Sequence, residues 1–452
     1  MVPTYFRPTA QDAMALASLL FVCCTCLITQ VNAESISFKQ QVAPVLLQHC
    51  IACHGPKRAE GGYRLDTIEQ LLKPGDSGET PVVDTAPLQS EIYIRMISHD
   101  ENVRMPADSE ALEKSTTEII RQWIAEGSKF DSESKSEALW SLIPPANYPT
   151  PVESYPHGIP VTAMVFSPDG KELYTSGYYE VLVWDIASGK LARRIPNQVQ
   201  RIYAIEWIQD GTFVAVGGGT PGELGEVRIV NLAGNLVEKV IGRTYDMVLD
   251  VVRHPHAPEI AVASADNSIR IIELKSMTVR KTLQSHADWV MQVAFSDDGN
   301  RLASASRDKT AKVFAVDSGE MLVSYPGHAS GVRGIASCGD GSQWISVGGD
   351  NQWHRWNVDG AKKIVSVPLG SEPIRLRRQG EFAWVGCADK KAFLFDLKKN
   401  AIHQKLESLE DVVSSVAVDV SSQKVATGCH NGKISIWNAS DGSLVMSWMA
   451  KP

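Results

Sequence analysis

Over residues 161–452 short apolar runs recur at a nearly fixed interval. Strand-like runs begin at Val161, Ile202, Val248, Val290, Val332, Ile374 and Val413, 39 to 46 residues apart. Each is followed by a polar turn, such as Ser167-Pro168-Asp169-Gly170 or Ser296-Asp297-Asp298-Gly299. Next comes a run of small residues, such as Leu302-Ala303-Ser304-Ala305-Ser306. A second tight turn falls at Asp266, Asp308, Asp350, Asp389 or Asn431, and a third run ends on pairs such as Trp184-Asp185, Trp356-Asn357 and Trp437-Asn438. Short apolar runs bounded by Asp, Asn and Gly predict strands joined by hairpins. A period of about 40 residues marks a repeat architecture, whose units bury their faces against their neighbours. The second unit is the longest. It carries the Gly-rich residues 217–225, which predict a loop on one face.

The first third has a different rhythm. Phe38, Val42, Val45 and Leu46 form a helical stripe, and Ile119, Ile120, Trp123 and Ile124 form another. Ser115-Thr116-Thr117-Glu118 predicts a capping box for the second helix, and Gly127 predicts its stop. Residues 131–156 are rich in Ser, Glu and Pro, and this favours extended backbone and a linker, with Trp140 and Leu142 able to dock it. At the start, residues 13–28 are sixteen residues without a charge, followed by Val31-Asn32-Ala33. That pattern predicts a secretory signal cleaved after Ala33; an uncleaved anchor is the alternative, although sixteen residues fall short of the ~20 a spanning helix needs. No later stretch is long and apolar enough to span. The expected divisions are 1–33 signal, 34–130 a small helical domain, 131–156 linker and 157–452 the β repeats.

Composition excludes more than it identifies. Hydrophobic residues are 44% and charged residues 21% of the chain, ordinary globular values that exclude disorder as the main state. The net charge of −8 gives no general affinity for nucleic acid, whose binding depends on cationic side chains. Eight cysteines are far too few for a disulfide scaffold.

One contiguous motif carries chemistry. Cys50-Ile51-Ala52-Cys53-His54 is C-x-x-C-H. The spacing puts two thiols on one turn, where each can add to a vinyl group of haem, and the adjacent histidine then faces the iron. A dithiol of thioredoxin type should sit in a βαβ pattern, and a zinc site needs a second ligand pair; the sequence offers neither. One covalent haem c is therefore expected. For the sixth ligand Met105 leads, in a loop stiffened by Pro106. Met96 lies at helical spacing with Ile92 and Ile97 and reads as core; His49 directly precedes Cys50 and would have to reach around the ring, so the remaining alternatives are Met96, His99 and an open site.

Residues 38–130 resemble the planctomycete-type cytochrome c domain. The likeness rests on Val42-Ala43-Pro44-Val45-Leu46, the haem motif through Gly55, Gly61-Gly62-Tyr63-Arg64-Leu65-Asp66, Gly75-Asp76-Ser77-Gly78, Pro87-Leu88-Gln89-Ser90, Met105-Pro106 and Trp123-Ile124. It implies a class I-like all-α fold with one haem and with Met105 as sixth ligand. Asp84-Thr85 and Ala107 depart from the family pattern, in loops. Arg64 is a candidate partner for a haem carboxylate, or simply a surface arginine. The seven β units resemble WD repeats. In unit five His328, Ser346, Asp350 and Trp356 match the family's hydrogen-bonded tetrad, and in unit four His286, Ser304 and Asp308 do so, with Phe314 for Trp. These polar residues are expected to pair with one another as structure, and Cys387 and Cys429 to be buried small hydrophobes. Seven such units imply a closed seven-bladed propeller.

Two functions follow as expectations. The first is an exported electron carrier of the periplasm or envelope, whose propeller docks a redox partner protein. The second is a haem enzyme resembling the two-domain cytochrome nitrite reductases, with a further cofactor in the propeller held by one of His254, His256, His354, His403 or His430; a third is that the haem is a sensor or structural element and the propeller is the working part.

Overall fold

The computed structural model describes residues 35–452, except 57, 108, 133, 134, 137, 210, 407, 408, 420 and 422. The expected signal, with Cys23, Cys24 and Cys26, lies outside the described residues.

The N-terminal domain is small and helical. A π turn over Phe38–Val42 leads into α1 (Ala43–His49). There follow α2 (Ile68–Leu71), α3 (Glu91–Ile97), α4 (Lys114–Ala125) and α5 (Leu139–Leu142). Phe38, Val42, Leu46, Ile120, Trp123 and Ile124 are all fully or nearly fully buried in one core, so the two stripes meet as their spacing implied. Helix α4 ends in a Schellman motif. The Ser128 amide donates to the Trp123 carbonyl at 3.0 Å and the Gly127 amide to that of Ile124, with Gly127 at φ +91°. The expected capping box is absent: α4 starts at Lys114, its N-cap is Glu113, and Ser115 already lies inside the first turn. Glu118 pairs instead with Arg121.

Residues 138–143 extend this core, with Lys135 tied to it. The Glu69 amide donates to the Lys135 carbonyl, Ala138 bridges Thr67, and the Leu139 amide donates to Asp66. Leu139, Trp140 and Leu142 are buried with the helices. The following stretch lies on the propeller. The Arg228 guanidinium sits 4.4 Å from the centre of the Tyr148 ring, and Tyr155 joins the Glu180 carboxylate.

The remainder is seven four-stranded antiparallel sheets, each strand paired with the next in sequence. This is the seven-bladed propeller. The turn between second and third strands repeatedly holds a residue in the left-handed region: Asn267, Lys309, Asn351, Lys390 and Gly432. Each comes directly after a turn residue singled out by the repeat pattern. The ring closes between blades 7 and 1, where the Val161 amide donates to Cys429 and Ser414 donates to the Val161 carbonyl. Residues 217–225 do not form the expected surface loop. They lengthen the middle hairpin of blade 2, whose strands are Arg201–Gln209, Phe213–Thr220, Leu224–Asn231 and Leu236–Thr244. Strand pairing continues through the glycines to Thr220 opposite Leu224, and only the turn residues 221–223 are unpaired.

Candidate functional site

Cys50, Cys53 and His54 follow the end of α1 on a tight turn. The Cys53 and His54 amides donate to the Cys50 carbonyl at 3.2 and 3.0 Å. Gly55 must be glycine, since a Cβ there would stand 2.5 Å from the Ile51 carbonyl oxygen. The His54 ring is oriented by its neighbour: Nδ1 lies 3.2 Å from the Tyr63 carbonyl oxygen. A carbonyl only accepts, so Nδ1 carries the proton and Nε2 keeps its lone pair. Metal-bound histidines are held in this way by the group behind them. The Tyr63 hydroxyl donates to the Leu71 carbonyl, which fixes the Tyr63 ring in turn. Burial, with Cys53 second, pushes the Cys50 thiol up to about 12. A redox-active dithiol has the opposite shift, toward thiolate at neutral pH.

Met105 is half-buried, and its amide donates to the Arg95 carbonyl at 3.0 Å, tying its loop to the end of α3. Met96 is 3% exposed and packed in the helical core, as its spacing implied. His49 is half-buried and His99 exposed. Arg64 forks onto Asp66 at 2.9 and 2.8 Å, so this guanidinium already has a carboxylate.

These residues fit a haem. An uncommitted imidazole nitrogen, a thioether and two thiols at C-x-x-C-H spacing form a coherent donor set. Arg104, directly before Met105, has a buried Nε with no hydrogen-bond partner among the described residues. A buried guanidinium N–H needs an acceptor, and a haem carboxylate is one. Ile94, Ile97 and Val103, on α3 and the Met105 loop, have exposed apolar side chains that an apolar macrocycle can cover. The sequence did not single out Tyr63 or Arg104 for these roles. Tyr63 acts through its backbone carbonyl, which leaves no side-chain signal.

In the propeller the tetrads form as expected. His328 joins Asp350 at 3.0 Å and Ser346 at 2.9 Å, and the Trp356 Nε1 donates to Ser346 at 3.2 Å. His286 bridges Asp308 at 2.8 Å and Ser304 at 2.7 Å. Burial opposes ionisation of Asp350, but the Ala329 amide and His328 hold its carboxyl below the usual range. Both His328 nitrogens are thus used, and the grouping of His328, Asp350 and His354 is a packing unit. Cys387 and Cys429 are buried, and burial pushes their thiols up to about 12 and about 11.

None of the five spare histidines lies on the innermost strand of a blade. His254 follows such a strand and is spent on its own loop and the Gly299 carbonyl; His256 reaches the Asp297 carbonyl. His354 is on a third strand, His403 on a fourth, and His430 after a second. The channel itself is crossed by an ion pair between Asp250 of blade 3 and Arg375 of blade 6.

Residues 50–109 match the planctomycete cytochrome C family. Residues 149–185, 277–314, 319–357 and 403–438 match the WD domain, G-beta repeat. No curated protein matches the chain. The chain thus joins a planctomycete-type cytochrome c domain to a WD-repeat propeller, and the first family implies a haem cofactor. Blades 2, 3 and 6 have the same four-stranded topology although no segment centred on them matches. Among the described residues no helix is long and apolar enough to cross a membrane.

Proposed function

We propose that this protein is an exported electron-transfer cytochrome with a class I-like haem domain seated on a protein-binding propeller. One haem c is held through thioethers at Cys50 and Cys53, with His54 as proximal and Met105 as distal iron ligand. The observation that carries this reading is the 3.2 Å contact between His54 Nδ1 and the Tyr63 carbonyl oxygen, which leaves Nε2 for the iron. When bound, the haem supplies a one-electron couple. The chain's own contribution is to orient His54 through Tyr63, to hold the Met105 loop on α3 and to offer Arg104 to a carboxylate. His54 and Met105 would both hold the iron from the chain, and a haem so held would supply outer-sphere electron transfer rather than a substrate site.

Residues 1–33 act as a cleaved export signal, and the mature protein works in the periplasm or envelope. The propeller docks a redox partner protein or protein complex. The placement of the spare histidines away from the innermost strands favours this reading over a second cofactor in the channel. Absorption spectroscopy with haem stoichiometry on the exported full-length protein tests it. One low-spin haem per chain, retained on a denaturing gel and lost in Cys50→Ala/Cys53→Ala, is expected. A second chromophore, or covalent haem in the double variant, would overturn it.

A further inference from the structure

Residues 34–143 contain five arginines. Four of them place Nε on a carboxylate: Arg58 on Glu60, Arg64 on Asp66, Arg95 on Glu91 and Arg121 on Glu118. Arg104 is the exception, and it directly precedes Met105. Its Nε is buried and has no hydrogen-bond partner among the described residues. The whole side chain is only 18% exposed.

The rest of Arg104 is fixed. Its amide donates to the Asp100 carbonyl at 2.8 Å, and the Met105 amide donates to the Arg95 carbonyl at 3.0 Å. Its Nη2 donates to the Ser109 carbonyl at 3.2 Å, on the far side of Met105 and Pro106. Arg104 therefore ties the two sides of the Met105 turn together and leaves Nε–H over. Glu101 does not supply the missing acceptor: it stands 4.0 Å from Nη2 and is 84% exposed. A buried charged donor left unpaired is costly, and a carboxylate is its strongest neutralising partner.

We propose that Arg104 is a positioning residue of the haem site: its Nε–H donates to a haem carboxylate, which locks the Met105 turn to the haem and raises the reduction potential. This role rests on the haem assignment above and adds to it the residue that sets the potential. A cation held beside the iron favours the ferrous state, which carries one positive charge fewer than the ferric. A turn tied to the haem at Arg104 also has less freedom to withdraw the Met105 sulfur, as outer partners orient metal ligands elsewhere.

The test compares the full-length holoprotein with Arg104→Gln, Arg104→Lys and Arg121→Gln. Arg121→Gln removes the same charge from an exposed pair on α4 and is the control. Arg104→Gln should lower the potential by about 59 mV, the one-electron equivalent of the tenfold loss expected for one charge-assisted contact. It should also bind imidazole about tenfold more tightly, because Met105 then yields more readily. Arg104→Lys keeps the charge and should recover at least half of the lost potential. The resonance Raman bending band of the haem carboxylates reports hydrogen bonding to them. It should shift in Arg104→Gln and stay in place in Arg121→Gln. If Arg104→Gln fails to load haem, the wild type decides alone: nitrogen-15 NMR of the ferrous protein should show an Arg104 Nε–H protected from solvent exchange. Free exchange of that proton would overturn the proposal. So would an unchanged potential and Raman band in Arg104→Gln, an equal change in Arg121→Gln, or no recovery in Arg104→Lys. With the sulfur–iron band intact in the wild type, any of these results leaves Met105 as ligand and removes Arg104 alone.

Discussion

The rings of Trp140 and Tyr245 lie 5.4 Å apart, and they join two domains. Trp140 is buried in the helical core. Tyr245 follows the outer strand of propeller blade 2, and Arg243 at the end of that strand donates to the carbonyls of Trp140 and Ile143. Behind Arg243 stands Glu226, fully buried, shared with Arg228, whose Nη2 donates to the Ala146 carbonyl at 2.6 Å. The lengthened hairpin of blade 2 thus supplies the seat of the cytochrome domain. An aromatic contact and a buried ion triad with carbonyl acceptors hold the domains together.

A first consequence concerns fragments. Residues 34–130 lack Leu139, Trp140 and Leu142, which complete the helical core. A fragment of residues 34–143 should be more stable than one of residues 34–130 by about 3 kcal/mol or more, the usual cost of emptying large buried sites. Denaturant midpoints of the two haem-loaded fragments measure this. Equal midpoints would mean that α5 contributes no packing.

The clamp itself is open to test through Arg243. Arg243→Ala leaves Glu226 with one cation fewer in a dry site and frees two carbonyls. A destabilisation of about 3 kcal/mol is expected for breaking such a buried pair. Protease cleavage within residues 144–160 should quicken while the haem spectrum stays unchanged. Unchanged cleavage would detach Arg243 from domain orientation.

A pH dependence is built into blade 5. His354 is 2% exposed, stacks on His328 at 4.0 Å, and pairs with the Tyr325 hydroxyl at 3.0 Å. Burial, then the charges of His328 and Lys363, depress its pKa to about 4, with Asp350 opposing. The unfolded chain takes up a proton near 6.5 that the folded chain refuses until about 4. Its contribution to stability is therefore complete above pH 6.5, falls as pH drops from 6.5 to 4, and is constant below. The loss is at most about 3 kcal/mol. Urea midpoints from pH 8 to pH 4 should fall more steeply in the wild type than in His354→Gln; parallel curves would assign the acid sensitivity elsewhere.

What the sequence revealed was whatever is periodic or contiguous. The repeat phases could be placed because the first-strand run recurs seven times, the second-to-third-strand turns in the five units where Asp or Asn marks them, and Cys50, Cys53 and His54 because they lie in one contiguous motif. Trp140 and Leu142 stood out as residues able to dock, but the Ser, Glu and Pro around them read as linker and concealed that they share a helical turn with Leu139 and complete the helical core. Residues 217–225 looked like a loop because glycine signals turns, yet glycine also fits where backbones approach: a Cβ on Gly218 would stand 1.9 Å from the Arg201 carbonyl oxygen. The Asp250–Arg375 pair joins residues 125 apart in different blades, and no local pattern announces it.

The assignment of Met105 as distal ligand gives the sharpest contrast between two methionines nine positions apart. Met96 fills the helical core at 3% exposure, and moving its sulfur to an iron would empty that core. Met105 is half-buried on a loop whose backbone is anchored at Arg95, so its side chain can turn without loss of packing. Met105→Ala should lower the reduction potential, because a thioether favours ferrous iron. It should also abolish the weak red absorption of a sulfur–iron(III) bond and admit exogenous ligands such as imidazole. Met96→Leu nearly conserves volume and should leave the spectrum unchanged, at a stability cost below about 1.5 kcal/mol. Loss of the band in Met96→Leu and its survival in Met105→Ala would reverse the assignment. Absence of the band in the wild type would move the ligand to a histidine, for which His99, exposed just beyond α3, is better placed than His49, which immediately precedes the haem motif.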